Sequence, residues 1–302
     1  MKLTFHTYDV FTTRKFCGNP LAIVEAADDL TAEQMQAITR EFNLSETIFI
    51  LKPADPGNTA RVRIFFPGGE MPFAGHPTVG CAVFLAERKY KPGCAFETEI
   101  RLEEAAGLVR VKVSRIGDVP RAMFTAPVTP FVADVVQPSA EAVAAALGLA
   151  VADVGFGKHL PIVHQGGPRC LHVPVNSRAA LARARPLEPQ WTALIQPLGT
   201  DMAYLYTPGG DNPRTSFRAR MFAPTGGIPE DPATGAATAL LAAQLVAAEA
   251  LSDGTHRWEI EQGYEMGRPS ELHLEADVAG ALLTAVRVAG QAVHVTSGVL
   301  EL

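Results

Sequence analysis

The chain has 302 residues, 47% of them apolar, enough to bury cores in two domains of ordinary size. A net charge of −6 with no basic stretch argues against a nucleic-acid partner, and four scattered cysteines without CxxC spacing argue against a disulfide framework. The opening MKLTFHTYDVF lacks the apolar core of a secretion signal, and no apolar run reaches spanning length, so a cytoplasmic protein that meets no membrane is expected.

KLTFHTYDVF reads as a strand and NPLAIVEA as its hairpin partner. LTAEQMQAITREF is a helix, with Thr31 and Gln34 in a capping-box pattern and Leu30, Met35, Ile38 and Phe42 on one apolar face. ETIFIL and ARVRIFF are strands, and HPTVGCAVFLAERK is a helix opening at Pro77 and closed near Lys91-Pro92-Gly93. FETEIRLE and GLVRVKVSR form a hairpin, and GDVPRAMFTAP begins something new. PSAEAVAAALGL, capped by Ser139 and stopped by Gly148, reads as a second copy of the helix after Thr31. HLPIVHQ, RCLHVPV, MAYLYTP and SFRARMFAP are short strands, followed by a long helix in DPATGAATALLAAQLVAAEAL. Strands HRWEIEQG, ELHLEADV, LLTAVRVAG and AVHVTSGVLEL close the chain. The strands outnumber the helices, without the regular βαβ alternation of a doubly wound sheet and without a phosphate loop.

RIFFPGGEMPFAGHPTVGCAVFLA (63–86) and RMFAPTGGIPEDPATGAATALLAA (220–243) form a weak internal repeat. Both start Arg-apolar-Phe, pass a Pro-Gly turn and enter a helix. The X-Pro-x-x-Gly match pairs His76 with Asp231 and Gly80 with Gly235. The first turn of a helix carries unpaired N–H groups at its positive end, and a glycine there lets an anion come close. Two such helix ends facing each other across a cleft would hold a carboxylate. Asp231 also reads as a plain cap with tight helix packing. His76, at the positive end, is expected to be neutral and so able to accept and donate a proton, or to be a satisfied structural histidine. Glu46, in NLSETIFI between a helix and an apolar strand, reads either as a partly desolvated general acid/base with a raised pKa or as a solvated loop residue. No His/Cys/Asp set has ligand-like spacing, so no metal is expected.

The segments DVFTTRKFCGNPLAIV, NLSETIF, FAGHPTVG, MFAPTGGIPEDPATGAA and EQGYEMGRPS together resemble the PhzF family of phenazine-biosynthesis-like isomerases, in family order and across nearly the whole chain. The resemblance implies an α+β, diaminopimelate-epimerase-like fold: two pseudo-symmetric lobes, each with a curved, mostly antiparallel sheet wrapped around a central helix. The lobes are expected at 1–118, completed by 288–302, and at 119–287, with the active site between them at the helix N-termini. Related epimerases and racemases place one cysteine per lobe there. This chain has His76 and Asp231 instead, which disfavours a two-thiol racemase.

By the same resemblance Glu46 is the proton shuttle, with His76 and Asp231 as its polar partners. Ser45, Gly75, Gly235 and Ala236 fall at ligand-binding positions. The phenazine enzyme's motif reads Gly-Ser where this chain has Gly235-Ala236, so a ligand-binding hydroxyl is lost. The implied activity is isomerisation of a small carboxylate-bearing substrate, cyclic or not, by proton and double-bond movement, without a cofactor, in a homodimer. A catalytically silent small-molecule-binding protein and a non-cysteine amino-acid epimerase are the alternatives. No role beyond a turn is assigned to EMGRPS.

Overall fold

The computed structural model describes residues 1–302, which gather into two units, Met1–Pro127 with Ala289–Leu302, and Val128–Val288. The boundary expected at 118/119 moves to 127/128. The reason is that Arg121–Thr125 pairs with Gly107–Arg115 rather than opening the second half.

In the first unit, β1 (Lys2–Val10) and β2 (Asn19–Val24) make the expected antiparallel hairpin, with Tyr8 opposite Leu21. The capping box of Thr31 and Gln34 starts α1 (Ala32–Phe42). β3 (Glu46–Leu51) runs parallel to β2 and antiparallel to β4 (Ala60–Phe66), which carries the short β5 (Gly69–Met71). After α2 (Gly75–Lys89) come β6 (Phe96–Glu104), parallel to β4, then β7 (Gly107–Arg115) and β8 (Arg121–Thr125) in a meander. The C-terminal strand, Leu282–Glu301, pairs with both β1 and β8, so this sheet closes into a barrel.

Helix α2 is apolar on nearly every side, with Val79, Cys81, Ala82, Val83 and Ala86 fully buried, and a helix of that kind belongs inside a core. It packs against β1, β2, β3, β6, β7 and β8. Helix α1 covers the other side of the sheet, its Met35 and Ile38 clustering with Leu30, Phe49 and Phe65. β3 is therefore buried on both faces. By the two-residue period of a strand, Glu46 shares its face with Ile48, while Phe49 and Leu51 face α1.

The second unit contains β9 (Phe131–Val132), α3 (Ala140–Leu147), β10 (Ile162–Gln165) and β11 (Arg169–Pro174). Then follow α4 (Arg178–Arg183), α5 (Gln190–Ile195), β12 (Ala203–Pro208), β13 (Phe217–Ala223) and β14 (Ile228–Asp231). α6 (Gly235–Glu249), β15 (Gly254–Gln262), β16 (Ser270–Ala279) and β17 (Leu282–Glu301) complete the chain. The two strands expected on either side of Gly290 are one continuous β17. α6 is the buried helix here, against β9, β10, β11 and β16. A second core, including Val143, Leu171, Trp191, Leu205 and Phe222, lies under α3, α4 and α5.

The pairing pattern occurs twice. β2/β3 and β11/β12 are parallel, and so are β4/β6 and β13/β15 across each buried helix. The helix after Ser139 is not the copy of α1: it precedes β10, whereas α1 follows β2. The position of α1 is taken by α4 and α5, between β11 and β12.

Strand register also corrects the residue equivalence. Ile64 pairs with Met71 in one hairpin, and Met221 pairs with Asp231 in the other. Arg63 makes a two-pronged contact with Glu70, and Arg220 makes the same contact with Glu230. Asp231 thus corresponds to Met71, Gly235 to Gly75 and Ala236 to His76. The true shared frame is Met71-Pro72-x-x-Gly75 and Asp231-Pro232-x-x-Gly235. The frame through Pro77 and Gly80 is a neighbouring coincidence, five residues late.

Candidate active site

In the first unit, Glu46 at the start of β3 and His76 in the first turn of α2 are both buried, at 8% and 3% exposure. Glu46 Oε2 lies 3.3 Å from His76 Nδ1. The strand's period turns Glu46 toward α2, and α2 packs against β3, so the two meet because a strand start and a helix start share one side of the sheet. Asn19, fully buried at the start of β2, donates its Nδ2–H to the same His76 nitrogen at 3.3 Å. That contact puts the lone pair on Nδ1 and the ring proton on Nε2. His76 Nε2 is buried and makes no hydrogen bond within the chain. Burial holds the imidazole neutral, pushed down to about 3. Neutrality was expected, but desolvation causes it rather than the helix dipole.

Neither buried helix has a side-chain cap. The N-cap of α2 is Ala74, and that of α6 is Thr234, without a capping hydrogen bond in either case. His76 is therefore inside the helix rather than before it, and Asp231 lies three residues ahead of its N-cap, at the end of β14. The backbone N–H groups of Gly75 and His76, and of Gly235 and Ala236, belong to these uncapped first turns. Pro77 has no N–H to leave unpaired. Ser45 is half-buried just before β3, and Ala236 is half-buried at the start of α6. Gly80 does not serve close approach of a ligand. A Cβ there would sit 2.6 Å from Leu21 Cδ2 and 2.8 Å from Val10 Cγ2, so this glycine lets α2 press against β1 and β2.

In the second unit Asp231 is buried, and its Oδ2 accepts from Thr234 Oγ1 at 2.6 Å. Gln262, fully buried at the end of β15, braces the segment. Its Nε2 donates to Asp231 O at 2.7 Å and Thr234 Oγ1 at 3.0 Å, and its Oε1 accepts from Thr234 N at 3.0 Å. Gly263 follows with φ +77°, where a Cβ would meet Pro232 O and Arg268 O at 2.5 Å. Arg268 N donates back to Gly263 O at 2.9 Å. EQGYEMGRPS is thus the buttress of the Asp231–Thr234 segment, a role that sequence reading missed. Asn19, Thr234 and Gln262 were missed too. Only their positions inside the quoted family segments could have flagged them.

Cys81 and Cys170 are buried, Cys17 is half-buried and Cys94 exposed, and none lies at the start of α2 or α6. No group of three or more His, Cys, Asp and Glu side chains is placed to hold a metal ion, and no helix is long and apolar enough to cross a membrane.

Buried central helices and a doubled pairing pattern define an epimerase-like α+β fold. The same fold occurs in a hydroxyproline epimerase of Agrobacterium vitis, with TM-score 0.60 at 14% identity, covering 99% of this chain and 92% of that one. The pattern of the phenazine biosynthesis-like family, PhzC-PhzF, matches residues 8–298, and the chain belongs to that family. It is 41% identical over 297 residues to an uncharacterized isomerase of Mesorhizobium japonicum, covering 97% of each. It is 36% identical over 292 residues to the trans-2,3-dihydro-3-hydroxyanthranilate isomerase of Pseudomonas aeruginosa, covering 96% of each. A PhzF-family protein of Bacillus anthracis has the same fold, with TM-score 0.88 at 24% identity over 100% of both chains.

Proposed function

We propose that this isomerase moves a proton, and with it a double bond, on a small carboxylate-bearing substrate, with Glu46 as the general acid/base and no cofactor. The observation that carries the reading is the buried Glu46 carboxyl 3.3 Å from a neutral His76 nitrogen. A carboxylate in a dry site is a competent base when the carbanion formed is delocalised. When Glu46 has taken a proton from carbon, its O–H competes with the Asn19 amide N–H for the single Nδ1 lone pair of His76. The proton is then held until it returns to another carbon. His76 Nε2–H, without a partner in the chain, is a donor for an oxygen of the substrate. Asp231 is the proposed second polar partner. The uncapped N–H groups of Gly75, Gly235 and Ala236, with Ser45, are the proposed carboxylate and enolate contacts.

Trans-2,3-dihydro-3-hydroxyanthranilate, for which the Pseudomonas relative is named, is the first compound to test. Ala236 cannot supply the hydroxyl of the phenazine enzymes, so other cyclic and amino carboxylates belong in the same panel. The assay is incubation in D₂O, with deuterium at carbon read by mass spectrometry. Incorporation with a shifted double bond is the expected result. Thermal stabilisation by the acids without any carbon-bound deuterium would mark a binding protein, and incorporation with inversion of configuration an epimerase.

A further inference from the structure

A second buried acid lies beneath the start of α2. Glu104, the last residue of β6, is 8% exposed, and its Oε1 is 2.8 Å from Thr78 Oγ1. The same hydroxyl is 2.7 Å from the Ala74 carbonyl. One hydroxyl hydrogen cannot serve both contacts. The carbonyl only accepts, so Thr78 donates there and the other short contact needs a hydrogen from Glu104. Glu104 Oε2 is buried without a hydrogen-bond partner, a costly setting for a negative charge.

No neighbouring cation offsets that cost. On α2 the coupled titratable group is the Cys81 thiol. On β4, Arg63 is engaged by Glu70 and Arg61 is exposed, and on β7, Arg110 contacts Glu99 while Lys112 is exposed. Burial pushes Glu104 up to about 8.

The second unit contains the comparison. Counting from Gly75 and Gly235, Thr78 corresponds to Thr238. Thr238 Oγ1 lies 3.1 Å from the hydroxyl of Tyr204, a buried phenol whose pKa burial raises further. A phenol is a neutral O–H at neutral pH. A buried side-chain hydroxyl thus meets the corresponding threonine in the second unit.

We infer that Glu104 is a neutral acid and a positioning residue: its O–H, relayed through Thr78, fixes and polarises the Ala74–Gly75 peptide at the start of α2. A carbonyl that accepts a hydrogen bond strengthens the donor at the other end of its peptide, here Gly75 N–H. The turn after β6 holds the same segment, because Ala106 N donates to Pro72 O at 3.0 Å.

Chemical denaturation of wild type and Glu104→Gln from pH 5 to 9 tests the protonation without any substrate. A carboxyl raised on folding from 4.5 to about 8 holds a proton that the unfolded chain has lost. Its stabilisation is full below 4.5 and is lost as pH rises to about 8. The wild-type unfolding constant should grow relative to that of the Gln variant by about tenfold per pH unit from pH 5 toward 8. Parallel curves overturn the inference. The kinetic arm rests on the proton-transfer reading proposed above. Glu104→Ala should raise KM about tenfold with a smaller change in kcat. Glu104→Gln, whose amide N–H donates to Thr78, should restore KM to within about threefold and abolish the fall in kcat/KM above pH 8. An unchanged KM in a folded Glu104→Ala variant overturns the positioning role. Absence of exchange with every acid counts against the proton-transfer reading alone, and the denaturation curves still decide Glu104.

Discussion

His76 is the residue whose ionisation matters most to the proposed chemistry, because its lone pair is useful to Glu46 only while the ring stays neutral. With its folded-state value at about 3, below the ordinary 6.5, the ring should not titrate in the working range. The ring signals of His76 in an NMR titration are expected to stay flat from pH 8 to pH 5. A midpoint near 6 would remove the neutral acceptor from the scheme. The sign of the linkage follows. The unfolded chain binds a proton near 6.5 that folded His76 refuses, so its contribution to stability is present above 6.5 and is lost as pH falls toward 3. At this scale the sequence was readable in part. Glu46 and His76 were singled out by their surroundings, but Asn19 was not, since an asparagine at a strand start looks like any turn residue.

At the scale of elements, Gly80 has a different role from the one its spacing suggested. Gly80 is a packing glycine, so Gly80→Val should destabilise by about 1–3 kcal/mol, through overpacking against Leu21 and Val10. Its affinity for ligand should be unchanged, and a selective loss of carboxylate binding in a stable variant would return Gly80 to the site. The buttress at the end of β15 makes the opposite kind of claim. Gln262→Ala strips three hydrogen bonds from the Asp231–Thr234 segment. It should cost about 1–3 kcal/mol and lower exchange activity as well. Denaturation and exchange assays on one preparation separate the two effects. Beside α6, His172 Nε2 donates to Ala237 O at 3.0 Å, so its Nδ1 accepts from His164 Nδ1 at 3.2 Å. Burial pushes His164 down to about 2 and His172 to about 4. Stability should therefore fall as pH drops below about 6.5, and His164→Asn should remove about one proton from the uptake on unfolding between pH 6 and 4. An unchanged slope would contradict this assignment. Helices α4 and α5 escaped notice because each spans under two turns and lacks a sustained apolar period.

Across the whole molecule, duplication was legible in the sequence while its register was not. The strand–turn–helix succession is repeated in composition, and the parallel pairs on each side of α2 and α6 repeat it in hydrogen bonds. The register failed because the β13–β14 hairpin is longer than the β4–β5 hairpin, and a second Pro-x-x-Gly follows the first by five residues. Corrected, the two halves are unequal. Ile48 pairs with Ile64 and Tyr204 with Met221, so the position of Glu46 is held by Met202 in the second unit. His76 is replaced by Ala236, and Asp231 by Met71. The duplicated frame thus has Glu46 in the first unit and no acid at the matching position of the second, an asymmetry in keeping with the proposed single-group proton transfer. The most direct measurement is deuterium incorporation from D₂O into substrate carbon by wild type and by Glu46→Gln, with folding monitored alongside. A loss of about 10³-fold or more in a variant that unfolds at the wild-type denaturant concentration is predicted. Incorporation by Glu46→Gln at the wild-type rate would contradict the assignment of Glu46 as the group that carries the proton.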